Sequence, residues 1–192
     1  MNTLIKYLQL LTPLTEKDQE LINTAFERRV AKEGEYLFAG GRVCTEMFFI
    51  CSGVLKITVT NEKGVDITHF FIRENQFCTI LNSFNNEVIA TENIIAACDV
   101  DVLIVSRKEL HSLYQKLPYL KTLIEQITQQ RLLDKIQLRN SYLGKDSATR
   151  YKLFMMQQSD IALRVSLQDV ASYLEITPQS LSRIRRNLLH DD

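Results

Sequence analysis

The sequence predicts an α+β fold: an N-terminal β jelly roll, a long connecting helix and a C-terminal helix-turn-helix. Three observations carry that prediction. From Arg29 to Val105, short apolar runs are separated by turn residues about every 8–12 positions, the spacing of an all-β sandwich or roll. From Tyr119 to Gly144 no proline or glycine interrupts a helical pattern. From Ser166 to Leu189, the string SLQDVASYLEITPQSLSRIRRNLL reads as two short helices around a tight turn. The matching divisions are a sensor roll over 1–106, a connecting and dimerising helix over 107–143, and a helix-turn-helix domain over 144–192.

The chain opens with an amphipathic stretch over 2–11. Thr15-Glu16-Lys17-Asp18 follows as a helix start, with a threonine cap and acids in the first turn. That helix should run to about Phe26. Strand signals begin at Arg29, punctuated by Gly34, the Gly40-Gly41 pair and Gly53. Met47 to Ile50 is a buried run. Leu55, Ile57 and Val59 alternate with Lys56, Thr58 and Thr60, so one face is buried and one is wet. Asn61-Glu62-Lys63-Gly64 makes a hairpin loop in which Gly64 takes positive φ, and Ile67 to Ile72 pairs back. Two further strands are expected at about Ile94–Cys98 and Val102–Val105.

Ser106 or Arg107 opens a helical region that Pro118 breaks. The long helix after it carries Leu120, Ile124 and Ile127, then Leu133 and Ile136. This seam resembles a dimerising coiled coil, interrupted by Arg131 and Asp134. Leu120, Ile124 and Ile127 are the predicted dimer contacts, and packing of the helix onto its own roll is the alternative. Gly144 to Ser147 forms a hinge. Ala148 to Gln158 is a further amphipathic helix with Tyr151, Phe154 and Met155 on one face.

The terminal pair has a defined chemistry. Val170, Ala171 and Leu174 form one apolar stripe, and the small Ala171 lets a second helix approach. Thr177 is a good N-cap and Pro178 suits the first helical position. Glu175 stands in the turn where glycine is usual, so a non-glycine residue must take positive φ there at some cost. Leu181, Ile184 and Leu188 share the buried face of the second helix, whereas Gln179, Ser182, Arg183 and Arg186 share the other. Such a helix enters the DNA major groove. Arginine can bond guanine bidentately and glutamine can bond adenine so, while hydroxyls and further arginines hold phosphates. The candidate DNA-contacting residues are Thr177, Gln179, Ser180, Ser182, Arg183 and Arg186. A helical hairpin with a solvated basic face is the plain alternative.

Composition sets bounds on function. The 192 residues hold 23 Lys and Arg against 23 Asp and Glu, a net charge of +0. Affinity for nucleic acid must therefore come from a local patch. No apolar run approaches the roughly 20 residues of a membrane span. MNTLIKYLQLL is too polar and short for a signal peptide, so no membrane partner and a cytoplasmic location are expected. Cys44, Cys51, Cys78 and Cys98 form no C-x-x-C pair and read as free thiols in a reducing compartment. His69, His111 and His190 lie far apart without ligand spacing, so no metal site and no catalytic residue is predicted. The same scarcity argues against a cupin-type metalloenzyme on the roll.

Three strings, together with the order of parts, resemble the Crp-Fnr family of bacterial transcription regulators. They are Glu33-Gly34-Glu35-Tyr36-Leu37-Phe38, Phe48-Phe49-Ile50 with Gly53, and ASYLEITPQSLSRIRRNL at Ala171–Leu188. The likeness is closest to small Bacteroidetes-type members sharing ASYL-x-ITP-x-SLSRIR. The resemblance implies a cyclic-nucleotide-binding-like roll. It also implies a homodimer whose recognition helices enter successive major grooves of double-stranded DNA at a near-palindromic operator. It allows RNA polymerase as a further partner. Gln179 and Arg183 carry over as base-contacting residues, and Pro178 sits where some members have a third that donates a bond.

The sensor half departs from that pattern. Cyclic-nucleotide-binding members surround the ligand phosphate with a Gly-Glu pair and, about ten residues on, an Arg with Ser or Thr. The corresponding segment here is Gln76 to Ala97. No glycine lies between Gly64 and Gly144, and no Lys, Arg or His lies between Arg73 and Arg107, whereas Glu74, Glu87, Glu92, Asp99 and Asp101 are present. A buried phosphate needs opposite charge or a nest of free N–H groups. Cyclic AMP is therefore disfavoured, no cofactor is implied, and the effector is unidentified. Phe77, Ile80, Leu81, Asn82, Phe84 and Ile89 are the expected effector-pocket residues, and such apolar spacing favours a pocket filled by its own side chains. Residues 1–43 hold no cysteine for the family's iron–sulfur centre. After the recognition helix His190-Asp191-Asp192 is too short for the β-hairpin wing of many members. The expected function is a non-enzymatic, dimeric DNA-binding regulator. The competing reading is an effector- or protein-binding module with a vestigial helix-turn-helix.

Overall fold

The run Met47-Phe48-Phe49-Ile50 lacks polar alternation because both of its faces are buried. In the computed structural model, which describes residues 3–62 and 64–188, this run lies in a sandwich covered by helices on both outer sides. Lys63 of the hairpin loop, the first two residues and the stretch from Leu189 through His190-Asp191-Asp192 lie outside the described residues.

Two short helices, α1 (Thr3–Gln9) and α2 (Glu16–Ala25), precede eight strands. These are β1 (Glu27–Ala31), β2 (Tyr36–Phe38), β3 (Glu46–Ser52), β4 (Leu55–Thr60), β5 (Asp66–Ile72), β6 (Phe77–Cys78), β7 (Glu92–Ala96) and β8 (Val100–Ser106). A one-and-a-half-turn helix, α3 (Leu81–Asn86), interrupts them. Then follow α4 (Arg107–Lys116), α5 (Pro118–Tyr142), α6 (Ser147–Gln157), α7 (Ser159–Ala162), α8 (Leu167–Tyr173) and α9 (Pro178–Leu188). The strands form two four-stranded sheets, ordered β1-β8-β3-β6 and β2-β7-β4-β5, with every pairing antiparallel. This is the jelly roll of an α+β chain.

Side chains alternate across a strand, and here that sorts them into three apolar layers. Phe48, Ile50, Leu55, Ile57, Ile94 and Val102 fill the space between the sheets. Met47, Phe49, Leu103 and Val105 face the other way and pack against α1, α2, α4 and α5. Outside the second sheet, Val54 and Phe71 pack against Tyr151, Phe154, Ile161, Val170 and Leu174 of α6, α7 and the α8 region.

Local rules place the helices. Thr15 and Asp18 form a reciprocal capping box at α2, and Ser106 and Glu109 form another at α4. Pro118 ends one helix and begins the next, sitting in the first turn of α5. Asp146 caps α6 through the Thr149 N–H at 2.9 Å. Among the described residues no helix is long and apolar enough to cross a membrane.

One expectation about α5 needs correction. Leu120 and Ile124 are 0% and 2% exposed, packed with α1, α2 and α4 on the first sheet, and Ile127 is half-buried against the same layer. The three predicted dimer contacts thus pack on their own chain. An i, i+4, i+7 spacing reports that a stripe is buried, not what buries it. The large aliphatic residues left exposed on this helix are Leu132, Leu133 and Ile136, at 44%, 47% and 48%.

Gly53 tests the closeness of this construction. Its φ is +92°, and a Cβ built on it would lie 2.3 Å from the Asp99 carbonyl oxygen and 2.7 Å from a Val100 methyl. Gly53→Ala is expected to lower stability by roughly 2 kcal/mol or more, from a strained φ and a backbone clash together. A urea midpoint equal to that of the parent would contradict this packing.

Candidate nucleic-acid interface

The candidate interface is built on α8 and α9. Ser166 caps α8 by accepting from the Asp169 N–H at 3.1 Å. The end of α8 is a Schellman turn: the Ile176 N–H donates to the Ala171 carbonyl at 3.0 Å and the Glu175 N–H to the Ser172 carbonyl at 3.1 Å. Glu175 has φ +55°, the left-handed conformation that its place in the turn requires. That costs a non-glycine residue roughly 1–2 kcal/mol. The Schellman bonds and an ion pair from Arg139 to Glu175 at 3.3 Å hold it there.

Thr177 starts α9 by accepting from the Ser180 N–H at 3.1 Å, while its own hydroxyl donates to Ser180 Oγ at 2.9 Å. Leu181 is fully buried, and Ile184 and Leu188 pack beside it. This anchoring leaves Gln179, Ser182, Arg183 and Arg186 exposed on one stripe, at i, i+3, i+4 and i+7. Thr177 is exposed beside them and Ser180 is half-buried. Helix α9 contains three arginines and no acid. Four of the six residues singled out from the sequence therefore share one exposed stripe of α9, while Thr177 caps its start and Ser180 sits half-buried in its first turn.

The pair is fixed to the roll by polar contacts around the apolar layer. Lys56 of β4 pairs with Asp169 of α8 at 2.5 Å, with both side chains largely buried. The Thr68 N–H donates to Ser172 Oγ at 2.9 Å. Arg73 pairs with Asp160 at 2.6 Å. Arg164 pairs with Glu74, Nη2 to Oε2 being 3.1 Å, and Glu74 also accepts from the Gly53 N–H at 2.7 Å. Burial alone would raise the Glu74 carboxyl. The hydrogen bonds from Arg164 and Gly53, with the Arg164 charge, outweigh that and hold it below its ordinary value.

The six expected pocket residues do not converge. Phe77 stacks against Phe49 with centroids 5.1 Å apart, in the helix-facing layer that also holds Phe84. Ile80 lies inside the roll. Leu81 is half-buried, Asn82 is exposed and bonded by Asn86 at 2.9 Å, and Ile89 is 68% exposed. Strand alternation and the short α3 send neighbours to different layers, so no common cavity forms around them.

The structure also brings cations that the segment itself lacks. Lys135 and Arg131 of α5 meet Phe77, Cys78 and Leu81 around a cavity of about 30 Å³, which holds roughly one or two waters and no nucleotide. Burial pushes the Lys135 ammonium below its ordinary value, and its Nζ lies 4.9 Å from the Phe70 ring centroid. Burial likewise pushes the Cys78 thiol up to about 12. The available signal was Lys135 continuing the inward stripe of Thr128 and Arg131.

Residues 28–117 match the family of cyclic nucleotide-binding domains. The matched stretch spans the roll from β1 through α4. Solved structures extend the likeness to the whole arrangement. The c-di-GMP-responsive global regulator CLP of Xanthomonas campestris shares 16% identity, over 92% of this chain and 93% of that one, with a TM-score of 0.74. A protein from Eubacterium rectale assigned to the Crp/Fnr family of transcriptional regulators shares 18%, over 97% and 88%, with a TM-score of 0.72. FixK2 from Bradyrhizobium japonicum shares 14%, over 86% and 85%, with a TM-score of 0.73. At these identities the likeness is one of fold, and the fold is the Crp/Fnr architecture. No curated protein matches the chain by sequence.

The roll is held against the helix-turn-helix in part by carboxylates, which makes the docking sensitive to pH. A carboxyl whose folded pKa is depressed stabilises fully above the ordinary carboxylate range and loses that contribution as pH falls through and below it. Hydrogen-exchange protection of the Thr68 amide is therefore expected to fall in that acid window, before that of Ile50 inside the roll. Glu74→Gln should show the same loss at neutral pH. Equal protection of Thr68 in parent and variant would contradict the role given to Glu74.

Proposed function

We propose that the protein is a dimeric, sequence-specific DNA-binding transcription regulator that works without a cofactor and does not respond to cyclic AMP. The observation that carries this reading is the single exposed stripe of Gln179, Ser182, Arg183 and Arg186 on an acid-free helix whose opposite face is anchored. A neutral chain needs such a local patch to bind a polyanion. In the reading, Arg183 bonds guanine and Gln179 bonds adenine, while Arg186 and the hydroxyls near Thr177, Ser180 and Ser182 hold phosphates. The Crp/Fnr architecture supports the assignment, and a cavity of only about 30 Å³ beside the Gln76–Ala97 segment supports the reading against cyclic AMP. The divisions at 106 and 143 then separate sensor, connecting and DNA-binding functions in the cytoplasm, where RNA polymerase is available as a partner.

The dimer contact in this reading moves to the outer face of α5. Gln129, Leu133, Ile136, Asn140 and Leu143 are all exposed and recur at alternating steps of four and three, the period of a coiled-coil seam. A second copy related by two-fold symmetry covers the same stripe on itself. Operators are then near-palindromic, with half-sites about 10 bp apart or a multiple of that.

Arg183→Ala is expected to weaken specific binding by roughly 1–3 kcal/mol and to relax one base position per half-site, whereas Arg186→Ala weakens all sequences alike and flattens the salt slope by about one unit. Selection from a random duplex pool, followed by titration of both variants, checks this. Unchanged affinity and preference in Arg183→Ala would remove the groove assignment.

Ile136→Asp is expected to give folded monomers, because two carboxylates would meet on the seam without partners. Ile127→Asp should instead lower the melting temperature, since Ile127 packs on its own roll. Sedimentation showing the parent as a monomer at micromolar concentration, with and without DNA, would overturn the dimer.

A further inference from the structure

A crevice of about 150 Å³ lies where β5, the end of α5, α6 and the α8–α9 turn meet. His69, Arg139, Tyr142, Arg150, Tyr173 and Glu175 supply its titratable lining, and mostly apolar neighbours, Phe70 among them, supply the rest. None of these was singled out as a ligand residue by the sequence, because they come from four elements spread over more than a hundred positions.

Arg150 is the unusual member. Its Nε is buried without a hydrogen-bond partner, and no carboxylate of the described residues pairs with it. A buried cationic donor without an acceptor is costly, so its vacancy points to an absent acceptor. Arg139 differs, since Glu175 already neutralises it at 3.3 Å. Burial, then the Arg139 charge, lowers the His69 pKa and leaves the ring neutral at pH 7. One positive charge in the crevice is thus uncompensated. That suits a monoanion. A phosphate ester, which carries between one and two charges at neutral pH, would leave charge unmatched.

The walls specify the rest of the ligand. Tyr142 and Tyr173 meet edge to face with centroids 6.1 Å apart, and the His69 and Phe70 rings stand at 86° to each other. Gln158 Nε2 donates to both tyrosine hydroxyl oxygens at 3.3 Å. Even if one hydroxyl donates to the other, the pair keeps at least one proton for a further acceptor. Burial raises both phenols, so they remain donors.

We propose that this crevice is a binding site for a small monocarboxylate with an aromatic or branched apolar body, its carboxylate held by the Arg150 guanidinium and a tyrosine hydroxyl. The site lies between the roll and the helix-turn-helix, outside the roll interior where the sequence placed an effector. A ligand there touches both bodies. It therefore stabilises their docked arrangement over any arrangement in which they separate.

The test uses the full chain with benzoate, phenylacetate and isovalerate as probes, and benzamide and inorganic phosphate as controls. At least one carboxylate should bind saturably by calorimetry and raise the melting temperature. Arg150→Gln should weaken that binding about tenfold or more, as loss of a charge-assisted fork would, with Arg150→Lys intermediate. Benzamide binding as tightly as benzoate, phosphate binding alone, or full affinity in Arg150→Gln would each overturn the proposal. So would no binding by any of the three carboxylates up to about 20 mM, the weakest affinity expected for ligands of this size. Should Arg150→Gln fail to fold, NMR contacts from bound probe to the His69 and Tyr173 rings of the parent decide the matter. Contacts there support the site, and contacts elsewhere overturn it.

Discussion

The constraint on which this structure depends is that each sheet of the roll carries large apolar residues on its outer face as well as its inner one. A β-sandwich buries its inner faces by itself, but its outer faces stay wet unless another layer covers them. In β3, Phe48 and Ile50 turn inward while Met47 and Phe49 turn outward, and all four are buried. The outer face of the first sheet recruits α1, α2, α4 and the beginning of α5. The outer face of the second recruits α6 to α9. The helix-turn-helix is therefore part of the roll's own packing, and its placement follows from the need to cover Val54 and Phe71.

Apolar cover alone leaves rotation and sliding free, and the polar rim removes that freedom. Lys56 and Asp169 have side chains only 17% and 14% exposed. Breaking one partner of so enclosed a pair leaves a charge without compensation, which costs more than the intact pair contributes. Glu74 reaches in two directions, to the backbone of Gly53 and to Arg164. It ties the tight turn between β3 and β4 to the segment that precedes α8. Orientation thus rests on a few charged contacts whose geometry tolerates little displacement.

Local chemistry made much of this legible in the sequence. The Thr15 and Ser106 caps, the break at Pro118, the strand alternation at Leu55 to Thr60 and the positive φ at Glu175 depend on residues a few positions apart. The candidate DNA-contacting stripe was legible for the same reason: one helix and one period define it. What was not legible depends on distant partners. Leu120, Ile124 and Ile127 read as a seam, yet their stripe fits the roll's outer face as well as a second copy. Phe77 and Cys78 are adjacent in sequence but enter different layers, so a list of neighbouring residues could not define a pocket. Lys135 and Arg131 reach the Gln76–Ala97 segment from α5, and no scan of that segment contains them. The short α3 was missed because six residues rich in asparagine carry no helical period.

The turn before α9 is where these separate surfaces meet. Arg139 faces the crevice and pairs with Glu175, the residue that holds the left-handed position in the turn. Asn140, the next residue, lies on the exposed outer stripe of α5. Two positions beyond Glu175, Thr177 caps α9. A helix moves as a unit over so short a span, so Arg139 cannot shift without Asn140, and the strained Glu175 has little latitude to follow alone. The charge that steadies the turn is supplied by the connecting helix and not by the helix-turn-helix itself. The orientation of the basic stripe is consequently coupled to the position of α5 in addition to the rim contacts with the roll, so a second copy or a ligand in the crevice would bear on it through that helix.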